Sequence, residues 1–119
     1  MSKLSKLKPI VRLSVVNPDT ESNSVFGRGI ASLCIGVRDT GSLNAAAKSM
    51  GMAYSNAWRI VNEAEGQLGC NLIERDGARG STLTPAGKRA IAVYEELQAD
   101  INNVIATKAN DLIASINAR

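Results

Sequence analysis

The sequence predicts an α+β fold that is mainly α, and three observations carry that prediction. Consecutive stretches between residues 30 and 68 carry apolar residues at helical spacing, each closed by a glycine. Two short extended segments flank a glycine-containing turn at residues 76–80. Thr84-Pro85 then opens a run with no proline and no glycine after Gly87, long enough for one protruding helix. At 119 residues, the chain has room for a single core plus that protrusion.

Taken in order, Lys3, Lys6 and Lys8 form a basic arm over residues 1–8. Residues 10–16 are rich in β-branched side chains, and Val11, Leu13 and Val15 alternate with Arg12 and Ser14, so a half-buried strand is expected. Asn17-Pro18-Asp19 turns the chain, and residues 24–26 return as a second strand. Ile30, Leu33, Cys34 and Val37 make one apolar helical stripe ending at Gly41. Ser42 caps a short second helix, about 43–50, that turns Leu43, Ala46, Ala47 and Met50 inward and stops at Gly51. A third helix, about 54–68, faces the core with Ala57, Val61, Ala64 and Leu68. Its other side carries Ser55, Asn56, Arg59, Asn62 and Glu63. Residues 71–75 and 81–83 pair as a hairpin with Arg79 near the tip. The last helix runs to about residue 117, which is about 50 Å at 1.5 Å per residue. Its stripe is Tyr94, Leu97, Ile101, Val104, Ile105, Leu112 and Ile116, interrupted near Lys108, so an ideal heptad repeat is not expected.

Composition narrows the functions. With 0 His and 2 Cys, the usual zinc sites, Ser-His-Asp triads and Cys-His dyads cannot be assembled, so no catalytic residue, metal or cofactor is expected. Cys34 and Cys70 are read as buried filler, and Glu63 and Glu65 as solvated charges. Trp58 is assigned to the core. No charge-free stretch approaches the about 20 apolar residues of a membrane span, and Arg12 breaks the apolar run of any signal peptide. A cytoplasmic protein without membrane contact is expected. The net charge is +3, but it is unevenly spread: residues 1–12 and 75–89 are basic, whereas the chain from residue 90 onward is acidic. Such a distribution suits a surface that meets a polyanion.

Helix, short helix, helix, basic-tipped hairpin and long helix form, in that order, a winged helix-turn-helix. The polar side of the third helix then has the size and chemistry to enter a major groove, where Asn and Arg reach base edges. Arg79 at the wing tip would reach phosphate or a minor groove. The same residues would serve equally as a solvated helix face, and a winged scaffold kept for binding another protein is the alternative reading.

The run GSLNAAAKSMGMAYSNAW from Gly41, followed by QLGCNLIER and LTPAG, resembles the winged helix-turn-helix of LysR-type regulators. It is still more similar to the N-terminal domain of ModE-type molybdate-responsive regulators, over about residues 8–97. The resemblance implies a bacterial transcription factor that binds double-stranded DNA as a homodimer at an inverted repeat. It implies DNA contacts from Ser42, Asn44, Tyr54, Ser55, Asn56, Arg59, Arg75 and Arg79. Dimerisation would run through the N-terminal hairpin and Tyr94, Leu97, Ile101, Val104, Ile105 and Leu112. The expected organisation is an arm at 1–8, a winged domain at 9–84 and a dimerisation helix at 85–119. Ala53 departs from the Ser usual there in both families, and the wing is shorter and less basic than in typical molybdate regulators. The chain ends where an effector domain would begin, so none of its own is expected, and no effector ligand or protein is legible.

Overall fold

The computed structural model describes residues 10–19, 24–77 and 80–118. The order is β1 (Val15–Val16), β2 (Ser24–Phe26), α1 (Arg28–Thr40), α2 (Leu43–Ser49), α3 (Tyr54–Leu68), β3 (Ile73–Arg75), β4 (Ser81–Leu83) and α4 (Pro85–Asn117). Two antiparallel pairs, β1 with β2 and β3 with β4, flank a helical core. The basic arm, the turn residues after Asp19 and Arg79 lie outside the described residues.

The three helices of the core form for local reasons. Gly41 and Gly69 take the left-handed conformation at φ 74 and end α1 and α3, a geometry that side chains with a Cβ resist. The Ser42 hydroxyl accepts the Ala45 N–H and caps α2. Ile30, Leu33, Cys34 and Val37 of α1 are buried against Leu43, Ala46 and Ala47 of α2 and Ala57, Val61 and Ala64 of α3. Gly36 explains how closely α1 and α2 cross. A Cβ there would fall 2.4 Å from the Cβ of Ala46, so only hydrogen fits.

The wing is tied to this core by its backbone. Ile73, Glu74 and Arg75 pair with Leu83, Thr82 and Ser81, and Asp76 N–H donates to the Gly80 carbonyl to close the turn. Ser81 N–H donates to the carbonyl of Gly41, which fastens β4 to the turn between α1 and α2. Thr84 caps α4 by accepting the Gly87 N–H, while its hydroxyl donates to the Asn71 carbonyl at 2.6 Å. Gly87 itself lies under β3: a Cβ on it would stand 2.3 Å from the Leu72 carbonyl oxygen. From this anchor α4 leaves the core, and the molecule extends 61 Å along its longest axis.

Five expectations need correction. The N-terminal strand is confined to Val15–Val16, both exposed; residues 10–14 make no ladder. Instead the Gln98 side chain on α4 accepts the Leu13 N–H and donates to the Val11 carbonyl, standing in for a strand partner. Leu68 is exposed, because it sits in the last turn of α3 beyond the end of the packed stripe. Cys70 is exposed in the connection after Gly69, whereas Cys34 is buried. Glu65 is half-buried, and its carboxylate accepts the N–H groups of Leu72 and Ile73, the backbone donors that enter β3. Trp58 is only partly in the core and is described below. No helix among the described residues is long and apolar enough to cross a membrane.

Candidate nucleic-acid interface

The interface is built around the solvent side of α3. Ala57, Val61 and Ala64 face the core, and the 3.6-residue period leaves Tyr54, Ser55 and Arg59 exposed, with Asn56 half-buried beside them. Among the described residues, Tyr54, Ser55 and Arg59 stay open to solvent on this face. Ala53 occupies the N-cap position in extended conformation but supplies no side-chain hydrogen bond, so α3 begins uncapped.

The wing adds a cation to this helix. Arg75, the last residue of β3, lays its guanidinium 4.2 Å from the centroid of the Trp58 ring. Tyr54 meets the same ring edge-on, with centroids 6.3 Å apart. Trp58 is therefore a floor rather than a core plug: one side packs on the core and one face carries Arg75. Its indole N–H is buried without a partner among the described residues. Tyr54, Ser55, Trp58, Arg59, Asn62, Glu63 and Arg75 line one shallow cleft between α3 and the wing.

Arg59 is held along the helix. Its Nε and Nη2 donate to Asn56 Oδ1 at 3.1 and 2.6 Å, and Nη1 donates to Glu63 Oε1 at 3.1 Å. These are neighbours three and four residues away, which share a helix face. Glu63 is thus exposed, as expected from sequence, but paired rather than free.

The remaining expected DNA contacts are spread more widely. Asn44 is exposed on α2, and Ser42 is half-buried with its hydroxyl committed to the cap. Arg79 lies outside the described residues. Trp58 is the member that sequence reasoning missed as a site residue. Its i+4 spacing from Tyr54 was visible, but the 17-residue jump to Arg75 was not.

The expected dimer residues fall into two groups. Leu97, Val104 and Leu112 are exposed along α4, and Val93 and Ile116 extend the apolar strip. Ile101 and Ile105 are half-buried. Tyr94 points back into its own domain, meeting Phe26 edge-on with centroids 5.6 Å apart.

Residues 32–88 match the family described as bacterial regulatory helix-turn-helix protein, lysR family. The chain is similar to the molybdenum transport protein ModE of Herbaspirillum seropedicae, 38% identical over 66 residues, covering 52% of this chain and 24% of that protein. It is also similar to the HTH-type transcriptional regulator TdcA of Escherichia coli K12, 29% identical over 92 residues, covering 77% of this chain and 27% of that one. It spans about a quarter of the length of these two curated relatives. Among solved structures, the CbnR DBD–DNA complex superposes with a TM-score of 0.54 at 25% identity, over 75% of this chain and 95% of that chain. The chain is therefore a winged helix-turn-helix resembling the N-terminal DNA-binding domain of ModE- and LysR-type transcriptional regulators.

Proposed function

We propose that this chain binds an inverted-repeat operator in double-stranded DNA as a homodimer and so regulates transcription. The observation that carries the reading is the open polar face of α3, with the Arg75 guanidinium held beside it on Trp58. An α-helix fits the major groove, and a cation at the groove edge suits a phosphate. Tyr54, Ser55 and Arg59 would enter the groove, while Asn44 and the Ser42 end of α2 approach the backbone. Arg79 would extend the wing contact.

The homodimer is supported by the exposed apolar strip of α4 together with the exposed Ile10, Val11, Val15 and Val16. Apolar side chains in such a row are favoured against a second copy rather than water. A dimer also doubles the phosphate contacts and reads two half-sites about 34 Å apart, or a multiple of that. Binding rather than catalysis is the whole of the proposed activity, and its setting is the cytoplasm, with no membrane partner. Residues 9–84 would act as the reader and 85–119 as the dimerisation helix.

The test is a titration against mixed-sequence duplex at low and moderate salt, followed by selection from a random duplex pool. A winged reader binds the mixed duplex with an affinity that drops steeply with salt, and it enriches a two-fold symmetric sequence. Arg59→Ala should cost about 1–3 kcal/mol on the enriched sequence and relax preference at one position per half-site. If the chain ignores duplex DNA at low salt, the scaffold serves protein association instead.

A further inference from the structure

The hydrogen bonds around Arg59 say what kind of base the helix is set to read. A guanidinium has five N–H donors and no acceptor. Three of Arg59's donors are engaged along α3: Nε–H and one Nη2–H on Asn56 Oδ1, and one Nη1–H on Glu63 Oε1. One N–H remains on each terminal nitrogen. Asn56 takes the Nε side of the fork, so the terminal nitrogens keep two N–H groups for a ligand, and both bracing residues lie on the same helix face as Arg59.

Asn56 is changed by the same contacts. An asparagine that reads adenine must accept from the exocyclic N6 while donating to N7. The carbonyl oxygen of Asn56 has two lone pairs, and it already accepts two N–H groups from Arg59. Only its amide donors are left. The Asn56–Arg59 pair thus presents donors alone, and the base edge that offers two adjacent acceptors in the major groove is guanine, through O6 and N7.

Charge supports a base contact over a phosphate contact. Glu63 neutralises Arg59 at 3.1 Å, so the pair adds little net attraction for the DNA backbone. Arg75, whose guanidinium rests on the aromatic face of Trp58, is a cation suited to that purpose.

We infer that Asn56 is a positioning residue rather than a base reader: with Glu63 it braces Arg59 so that the two remaining N–H groups of the fork meet O6 and N7 of one guanine in each half-site. This rests on the DNA-binding reading above, and it extends that reading to the chemistry of the recognised base.

The experiment uses the full chain and the operator enriched from the random pool. Each guanine of a half-site is replaced in turn by 7-deazaguanine, which lacks the N7 acceptor, and by adenine. The readout is the ratio of affinities for guanine and 7-deazaguanine, which cancels any general effect of charge. The parent should show one guanine at which 7-deazaguanine weakens binding about tenfold, within the range of a bidentate base contact. Arg59→Ala should bring that ratio to about one. Asn56→Ala should reduce it severalfold, and Asn56→Asp should keep it, because a carboxylate accepts the same two N–H groups. Adding Asn56→Ala to Arg59→Ala should change the ratio no further. Thermal melts of each variant confirm folding.

A parent that shows no guanine sensitive to 7-deazaguanine, or that binds as well with adenine at the sensitive position, would overturn the inference. So would a parent-like ratio in Asn56→Ala, or an Asn56→Asp variant as impaired as Asn56→Ala. These outcomes presuppose an enriched operator, so they leave DNA binding intact. Absence of any enriched, salt-sensitive binding would instead remove the reading on which the inference rests.

Discussion

Single residues carry two predictions, both set by local chemistry. The first concerns Ala53, which holds the N-cap position of α3 with φ −68 and ψ 147 but offers no oxygen to the free N–H groups of the first turn. Serine adopts that backbone readily, so Ala53→Ser should stabilise the chain by about 0.5–1 kcal/mol. It would also place a hydroxyl where α3 begins, beside the proposed phosphate path. A thermal melt checks the gain, and an unchanged or lower midpoint would show that the first turn of α3 is already satisfied by water. The second concerns the thiols. Burial, with the Glu65 charge adding to it, pushes the Cys34 thiol up to about 12, whereas Cys70 is exposed. Because the thiolate is the reactive form, a thiol reagent at pH 8 should label one cysteine in the native protein and two in denaturant. Rapid labelling of both in the native state would mean that the α1–α3 core opens freely.

At the level of elements, close approaches matter more than propensity. Gly87 lies inside the first turns of α4, where alanine would ordinarily favour the helix by about 1 kcal/mol. Here the Leu72 carbonyl stands where the methyl would go, so Gly87→Ala should destabilise, by about 1–3 kcal/mol, the usual cost of overpacking. A denaturant melt giving a more stable variant would show that β3 yields easily. The departure of α4 from the core is also braced from α1. Arg38 Nη1 lies 2.6 Å from Glu95 Oε1, and this hydrogen bond, with a second to Asp39, holds the guanidinium above its already high range. Gln98, one turn further along, ties down residues 11–13. Together these contacts aim the helix outward, so its apolar strip stands clear of its own domain.

For the whole molecule, that strip is the consequential feature. Val104 and Leu112 are both well exposed and lie beyond the reach of the three-helix core. Replacing both by glutamate should leave the winged domain folded and yield monomers by analytical ultracentrifugation. The doubly substituted chain should then bind a single half-site much as the parent does but lose the gain from the inverted repeat. A variant that remains dimeric would move the interface to the exposed edge formed by Ile10, Val11, Val15 and Val16. The acidic character of the chain after residue 90 fits this division. Negative charge collects on the part proposed to pair with its mate, whereas the Arg75 cation stands beside the proposed reader.

The elements of the core were readable from residues alone because each is specified locally. Gly41, Ser42 and Gly69 end, cap and end helices by backbone geometry that needs no distant partner, and the apolar periods of α1 and α3 name their buried faces. The open polar face of α3 follows from the same periodicity, so the candidate site was largely legible too. What tertiary structure alone decided are the contacts between residues far apart in the chain. Arg75 on Trp58, Gln98 on the N-terminal backbone and Glu65 on the entry to β3 join segments that no short-range pattern connects. They turned an expected core tryptophan into a platform, an expected strand into a tethered segment and an expected solvated acid into a backbone anchor. A side chain's role depends on which group arrives opposite it, and arrival is settled by how the helices pack.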